Sequence, residues 1–275
     1  MSTEEILVQR SDGLVTVTLN RPAKKNAITA NMWAGLDAVF TEVMNDPADR
    51  ALLLTGAGED FSAGADLSGG VSGGAGGGSR GGPKGLTGGP VQSTLHEMRA
   101  ANEIVSRLQR LPKPTIAAVD GVAVGVALGL VLACDLVLAT DRARFAEVFV
   151  KRGLALDGGT SWTLPRQVGL RRAKQMAFLG DFVEAEQALA WGLINEVVAP
   201  NELAKTAGEW ARRLATGPTT ALSLIKRLLD ASGSASFEQA LEDEARAQHI
   251  ATTTHDTKEG VRAYLERREP RFTGA

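Results

Sequence analysis

Through about residue 200, short apolar runs alternate with stretches of helical periodicity, and that alternation limits the chain to a mixed α/β core. Leu14-Val15-Thr16-Val17-Thr18-Leu19 alternates apolar and hydroxyl side chains, whereas 51–55 and 115–119 are continuous, largely apolar runs closed by glycine or acid. All three read as strands. Residues 29–45 and 92–110 carry apolar positions at helical spacing, with Leu36, Val39, Phe40 and Val43 on one stripe and Ile104, Val105 and Leu108 on another. Beyond about residue 200 only helical patterns remain, over 200–215, 218–231, 236–250 and 256–267. The expected organisation is a core over 1–199 and a helical C-terminal subdomain over 200–275.

With 275 residues, 44% hydrophobic and 23% charged, the chain has enough apolar material for one large core. Its 30 Lys and Arg nearly balance 32 Asp and Glu, which argues against a nucleic-acid or anionic-membrane partner. The single Cys134 lies in an apolar run and reads as a buried small hydrophobe, in keeping with a reducing, cytoplasmic setting. The opening Met-Ser-Thr-Glu-Glu lacks the basic and apolar blocks of a signal peptide, and the longest apolar stretch, Val122 to Ala139, is broken by Asp135. His96, His249, His255 and Cys134 lack metal-ligand spacing, and Ser62 and Ser161 have no histidine placed to activate them. Residues 68–90 are dominated by glycine and predict a mobile loop that could lie over a pocket mouth. The Gly-x-Gly-x-x-Gly match at Gly76, Gly78 and Gly81 follows no strand and opens no helix, so it is not a dinucleotide fingerprint.

Two small-residue segments carry the chemistry. Phe61-Ser62-Ala63-Gly64-Ala65-Asp66 and Gly121-Val122-Ala123-Val124-Gly125-Val126 each follow an apolar run. Gly64 permits a turn closed to residues with a Cβ, and Ala65 is too small to shield its own N–H. Gly125 is expected to end a loop and Val126 to open a helix running to Cys134, whose first N–H groups lack internal partners and carry the positive end of the helix dipole. Two such donors converging on one oxygen would form an oxyanion hole.

In this order, the segments and their surroundings resemble the crotonase superfamily, the enoyl-CoA hydratase/isomerase family, over essentially the whole chain. The resemblance rests on Asn20-Arg21-Pro22 with Asn26-Ala27, Phe61 to Leu67, Pro112-Lys113-Pro114, Asp120-Gly121-Val122-Ala123 with Gly125, and Ala133-Cys134-Asp135. It continues through Gly158-Gly159-Thr160, Leu164-Pro165-Arg166, Gly169, Ala190-Trp191-Gly192-Leu193 with Asn195, and Glu259-Gly260. It implies an α/β fold, a crotonase-like spiral of ββα units with a C-terminal helical trimerisation region, and hence a homotrimer or hexamer. It implies an acyl-CoA substrate, no cofactor beyond that CoA, and a thioester carbonyl held by the Ala65 and Val126 N–H groups. It also implies CoA contacts at Arg21, Lys24, Ala27, Ala63, Asp66, Leu67 and Arg267, the basic residues toward phosphate.

The two glutamates that activate water in a hydratase of this family fall at Gly129 and Phe149, neither of which moves a proton. Asp157, before Gly158-Gly159-Thr160, is the candidate base, with the alternative of a helix N-cap. Strand alternation would put Glu147 on the face of Phe149, making it a second candidate acid. Asp66 reads also as an N-cap. Phe149, Leu156 and Trp162 are expected to wall the acyl pocket. The expectation is thus a thioester-enolate enzyme that shifts a double bond or rearranges a ring. A hydratase using Glu147 and a non-catalytic acyl-CoA-binding protein are the alternatives.

Overall fold

The computed structural model describes residues 4–67 and 91–275, so the expected glycine-rich loop over 68–90 lies outside the described residues. The chain opens with β1 (Ile6–Ser11) and β2 (Leu14–Leu19), an antiparallel hairpin whose two turn residues, Asp12 and Gly13, both have positive φ. Then follow α1 (Ala30–Asn45), β3 (Ala51–Gly56), α2 (Val91–Gln109), β4 (Thr115–Val119), β5 (Val122–Val124) and α3 (Val126–Ala133). Next come β6 (Leu136–Thr140), β7 (Arg144–Ala146), α4 (Thr160–Val168), α5 (Leu170–Leu179), β8 (Val183–Glu184), α6 (Ala185–Trp191) and β9 (Glu196–Val198). Four helices close the chain: α7 (Leu203–Ala215), α8 (Thr219–Ala231), α9 (Phe237–Thr253) and α10 (His255–Glu266). The expected strands and helices are present, with ends moved by a few residues.

A six-stranded sheet runs β1-β2-β3-β4-β6-β9, parallel from β2 onward, beside a three-stranded sheet in the order β5-β7-β8. Parallel strands covered on both faces need continuous apolar sequence, and β4 is buried at every position. On one face α1 contributes Met32, Trp33, Leu36 and Phe40; on the other, α7 lays Leu203, Ala207, Ala211 and Ala215, one per turn, against Leu53, Ile116 and Leu138. The buried Lys113 ammonium donates to the carbonyls of Val43 and Asp46, satisfying the C-terminal end of α1. Asp135 accepts from the Thr115 N–H at 2.7 Å and pairs with Lys226 of α8 at 3.0 Å, which ties the C-terminal helices to the sheet.

Candidate active site

Hydrogen bonds zip the first small-residue segment onto β5. Phe61 N–H donates to the Asp120 carbonyl at 2.7 Å, Ser62 N–H to Val122 at 2.9 Å, and Val124 N–H returns to the Ser62 carbonyl at 3.1 Å. Beyond this bridge Gly64 turns with φ +89°, and a Cβ there would stand 2.6 Å from the Val124 carbonyl oxygen, so only glycine fits. The next residue, Ala65, therefore emerges beside Gly125 and the start of α3. Among the described residues neither the Ala65 nor the Val126 N–H donates to another backbone group. Val126 is the first residue of α3, a helix buried along its entire length, so the positive end of its dipole is shielded from water.

The turn before α1 docks on the same segment. Ala63 N–H donates to Lys25 at 2.9 Å, Ile28 N–H to Gly64 at 2.8 Å and Asp66 N–H to Ile28 at 2.9 Å. Arg21 braces it by donating to the Ala27 carbonyl at 2.6 Å and to Asp66 at 2.9 Å, with Glu5 at 3.2 Å on its other side. Six of the seven CoA-contact candidates (Arg21, Lys24, Ala27, Ala63, Asp66 and Leu67) thus lie along two mutually paired stretches. The Asp66 carboxylate holds Arg21. Lys24 and Leu67 are exposed, as is Arg267 at the end of α10.

Asp157 does not cap α4. The N-cap is Gly159, which has no side chain to offer, and it is the Asp157 carbonyl that accepts from the N–H and hydroxyl of Thr160, at 3.2 and 2.9 Å. The carboxylate is left over: its Oδ1 is buried without a hydrogen-bond partner, and burial pushes its pKa up to about 6. Asp157 lines a cavity of about 900 Å³ together with Leu156, Trp162, Val105 and Leu111. Two of the three expected wall residues are there. The third, Phe149, packs its ring edge 3.5 Å from where a Cβ of Gly125 would stand.

Glu147 is buried, but not by strand alternation. β7 stops at Ala146, and 148–152 form a 3-10 helix with Glu147 at its N-cap position. The Gly125 N–H donates to the Ala146 carbonyl at 2.9 Å, which sets Glu147 next to the start of α3. Its carboxyl is fully inaccessible and neither oxygen has a hydrogen-bond partner. Burial first, and the charge of Asp157 second, push its pKa up to about 8. The Thr160 hydroxyl lies beside it, yet gives its one proton to the Asp157 carbonyl. Gly129 closes this region: a Cβ there would meet the Gly158 carbonyl oxygen at 2.6 Å.

A third carboxyl escaped the sequence reading. Glu97 has a buried, unpartnered Oε2 and stands four and seven residues before Ala101 and Ile104 on the buried stripe of α2. Extending that stripe by one turn would have found it. His96, its neighbour, is exposed.

Two backbone donors without a partner among the described residues, with a buried and a half-buried carboxyl group close by, form a site suited to stabilising negative charge on a carbonyl oxygen. The chain belongs to the enoyl-CoA hydratase/isomerase family, whose model matches residues 9–275. It is 41% identical to the 1,2-epoxyphenylacetyl-CoA isomerase of Escherichia coli over 98% of this chain and 99% of that protein. It is 33% identical to the trans-2-decenoyl-[acyl-carrier-protein] isomerase of Streptococcus mutans over the full length of both. The solved enoyl-CoA hydratase of Mycobacterium smegmatis superposes with a TM-score of 0.86 at 31% identity, covering 98% of each chain.

Proposed function

We propose that this protein is an acyl-CoA isomerase: Asp157 moves a proton between carbons of the acyl group while the Ala65 and Val126 N–H groups hold the thioester enolate. The observation that carries the reading is the half-buried Asp157 carboxylate at the cavity wall, its Oδ1 buried and unpartnered and released from any capping duty. A carboxylate raised to about 6 is ionised at neutral pH and is a stronger base than an exposed one. The two N–H donors supply the complementary term, roughly 2.7–4 kcal/mol for each donor of this kind. Val126 gives the same N–H as glycine, and its side chain packs against Gly158.

Water addition is disfavoured because the hydratase glutamate positions fall at Gly129 and Phe149, and the space beside Gly129 is filled by the Gly158 backbone. The names of the two relatives above, both isomerases, support the same direction. CoA would lie along the paired stretches from Arg21 to Ala27 and Ala63 to Leu67, with Lys24 and Arg267 toward phosphate and no further cofactor. The exposed Ile225, Leu229, Phe237, Leu241, Tyr264 and Leu265 on the last three helices support assembly into a homotrimer or hexamer. The test uses two substrates. With trans-3-hexenoyl-CoA the conjugated ultraviolet band should grow, whereas with crotonyl-CoA it should persist. Rapid loss of the band with crotonyl-CoA would favour a hydratase, and binding of both without change would favour a carrier.

A further inference from the structure

We propose that Glu147 is a positioning residue that keeps the carboxyl pair in a one-proton state: it stands as a neutral acid behind Asp157, and its ionisation switches the site off. This rests on the assignment of Asp157 as the base. A carboxyl with no accessible surface and no hydrogen-bond partner is a poor structural element, since burying a polar group without a partner destabilises the fold. A leucine would fill a similar volume without that penalty. Two carboxylates buried side by side cannot both ionise cheaply, so the first proton leaves the group nearer the cavity and the second is retained.

Among the described residues, no cation pairs with Glu147. α3 carries no titratable side chain from Val126 to Ala133. Arg144 of β7 lies over the Phe182 ring, Arg166 of α4 stacks on Trp162, and Lys151 of the 3-10 helix pairs with Asp181. Arg152, Arg171, Arg172 and Lys174 are exposed. Between about 6 and about 8 the pair therefore carries one charge, on Asp157, which is the form able to take a proton from the substrate. Above that window a second charge next to the start of α3 opposes formation of the enolate.

The test is the pH profile of trans-3-hexenoyl-CoA isomerisation for the wild type, Glu147→Gln and Asp157→Asn. The wild type should give a bell with limbs near 6 and 8, and Glu147→Gln should keep the lower limb and lose the upper one. At pH 9 the variant should exceed the wild type about tenfold, one pH unit beyond the upper limb. Coincident wild-type and Glu147→Gln profiles overturn the proposal while leaving Asp157 in its role. Full activity in Asp157→Asn overturns both. Infrared spectroscopy of the wild-type enzyme gives an independent reading: a protonated-carboxyl C=O band at pH 7 that disappears by pH 9 and is missing in Glu147→Gln supports the proposal, and its absence at pH 7 refutes it.

Discussion

Replacing Gly129 with alanine adds one carbon at the contact that holds the Asp157 turn against α3. The new Cβ would lie 2.6 Å from the Gly158 carbonyl oxygen and 3.1 Å from its Cα, and both are backbone atoms that cannot rotate away. Overpacking of this kind costs about 1–3 kcal/mol, and a rigid obstacle puts the cost at the upper end. Alanine recovers about 1 kcal/mol of helix propensity, leaving a net loss of about 2 kcal/mol. For a chain of this size that is a fall in Tm of roughly 4–8 °C by calorimetry. Activity should suffer more than stability, because the residue pushed away is joined directly to Asp157. A shift of the base approaching 1 Å costs about a hundredfold in rate. Gly129→Ala with wild-type Tm and wild-type isomerisation would refute the claim that this glycine exists to admit the Gly158 backbone.

Stability should fall with rising pH through the range where Glu147 and Asp157 lose their protons. Both carboxyls are raised in the folded chain, so the folded state holds more protons than the unfolded one from the usual carboxylate range up to about 8. The stabilisation is complete below the unfolded values and is lost as pH climbs through the folded ones; urea denaturation at pH 5 and pH 9 should show a smaller loss for Glu147→Gln than for the wild type. Asp256→Ala should release the C-terminal segment, because Asp256 accepts from the N–H groups of Thr273 and Gly274 at 2.7 and 2.8 Å. Each orphaned donor costs about 1–3 kcal/mol, and hydrogen exchange at 272–275 should accelerate without change in isomerase activity.

The elements that set the frame were legible because each is buried on a periodic pattern. β3 and β4 are apolar runs since α1 and α7 cover their two faces, and the α1 stripe is the one that packs on the sheet. The Gly64 turn and the start of α3 at Val126 were legible for a different reason: glycines in tight turns beside small residues stand out in sequence. The carboxyls were harder. Asp157 read equally as a cap because aspartate before a helix usually is one, and only the fold reveals that Gly159 takes that position. Glu147 was picked out on an alternation that ends one residue too early, at Ala146; its burial comes from the 3-10 turn and the approach of α3. The proximity of Glu147 and Asp157 depends on a glycine-to-glycine contact between α3 and the turn before α4, which no local pattern encodes.

The central claim is that Asp157 is the base that removes a proton from C2 of a CoA thioester. Mass spectrometry of trans-3-hexenoyl-CoA incubated in deuterated water reads that step directly. The wild type should introduce deuterium at C2, and Asp157→Asn should slow its entry about 10²–10⁴-fold while CoA-ester binding is retained. Deuterium entering equally fast in both proteins would contradict the account.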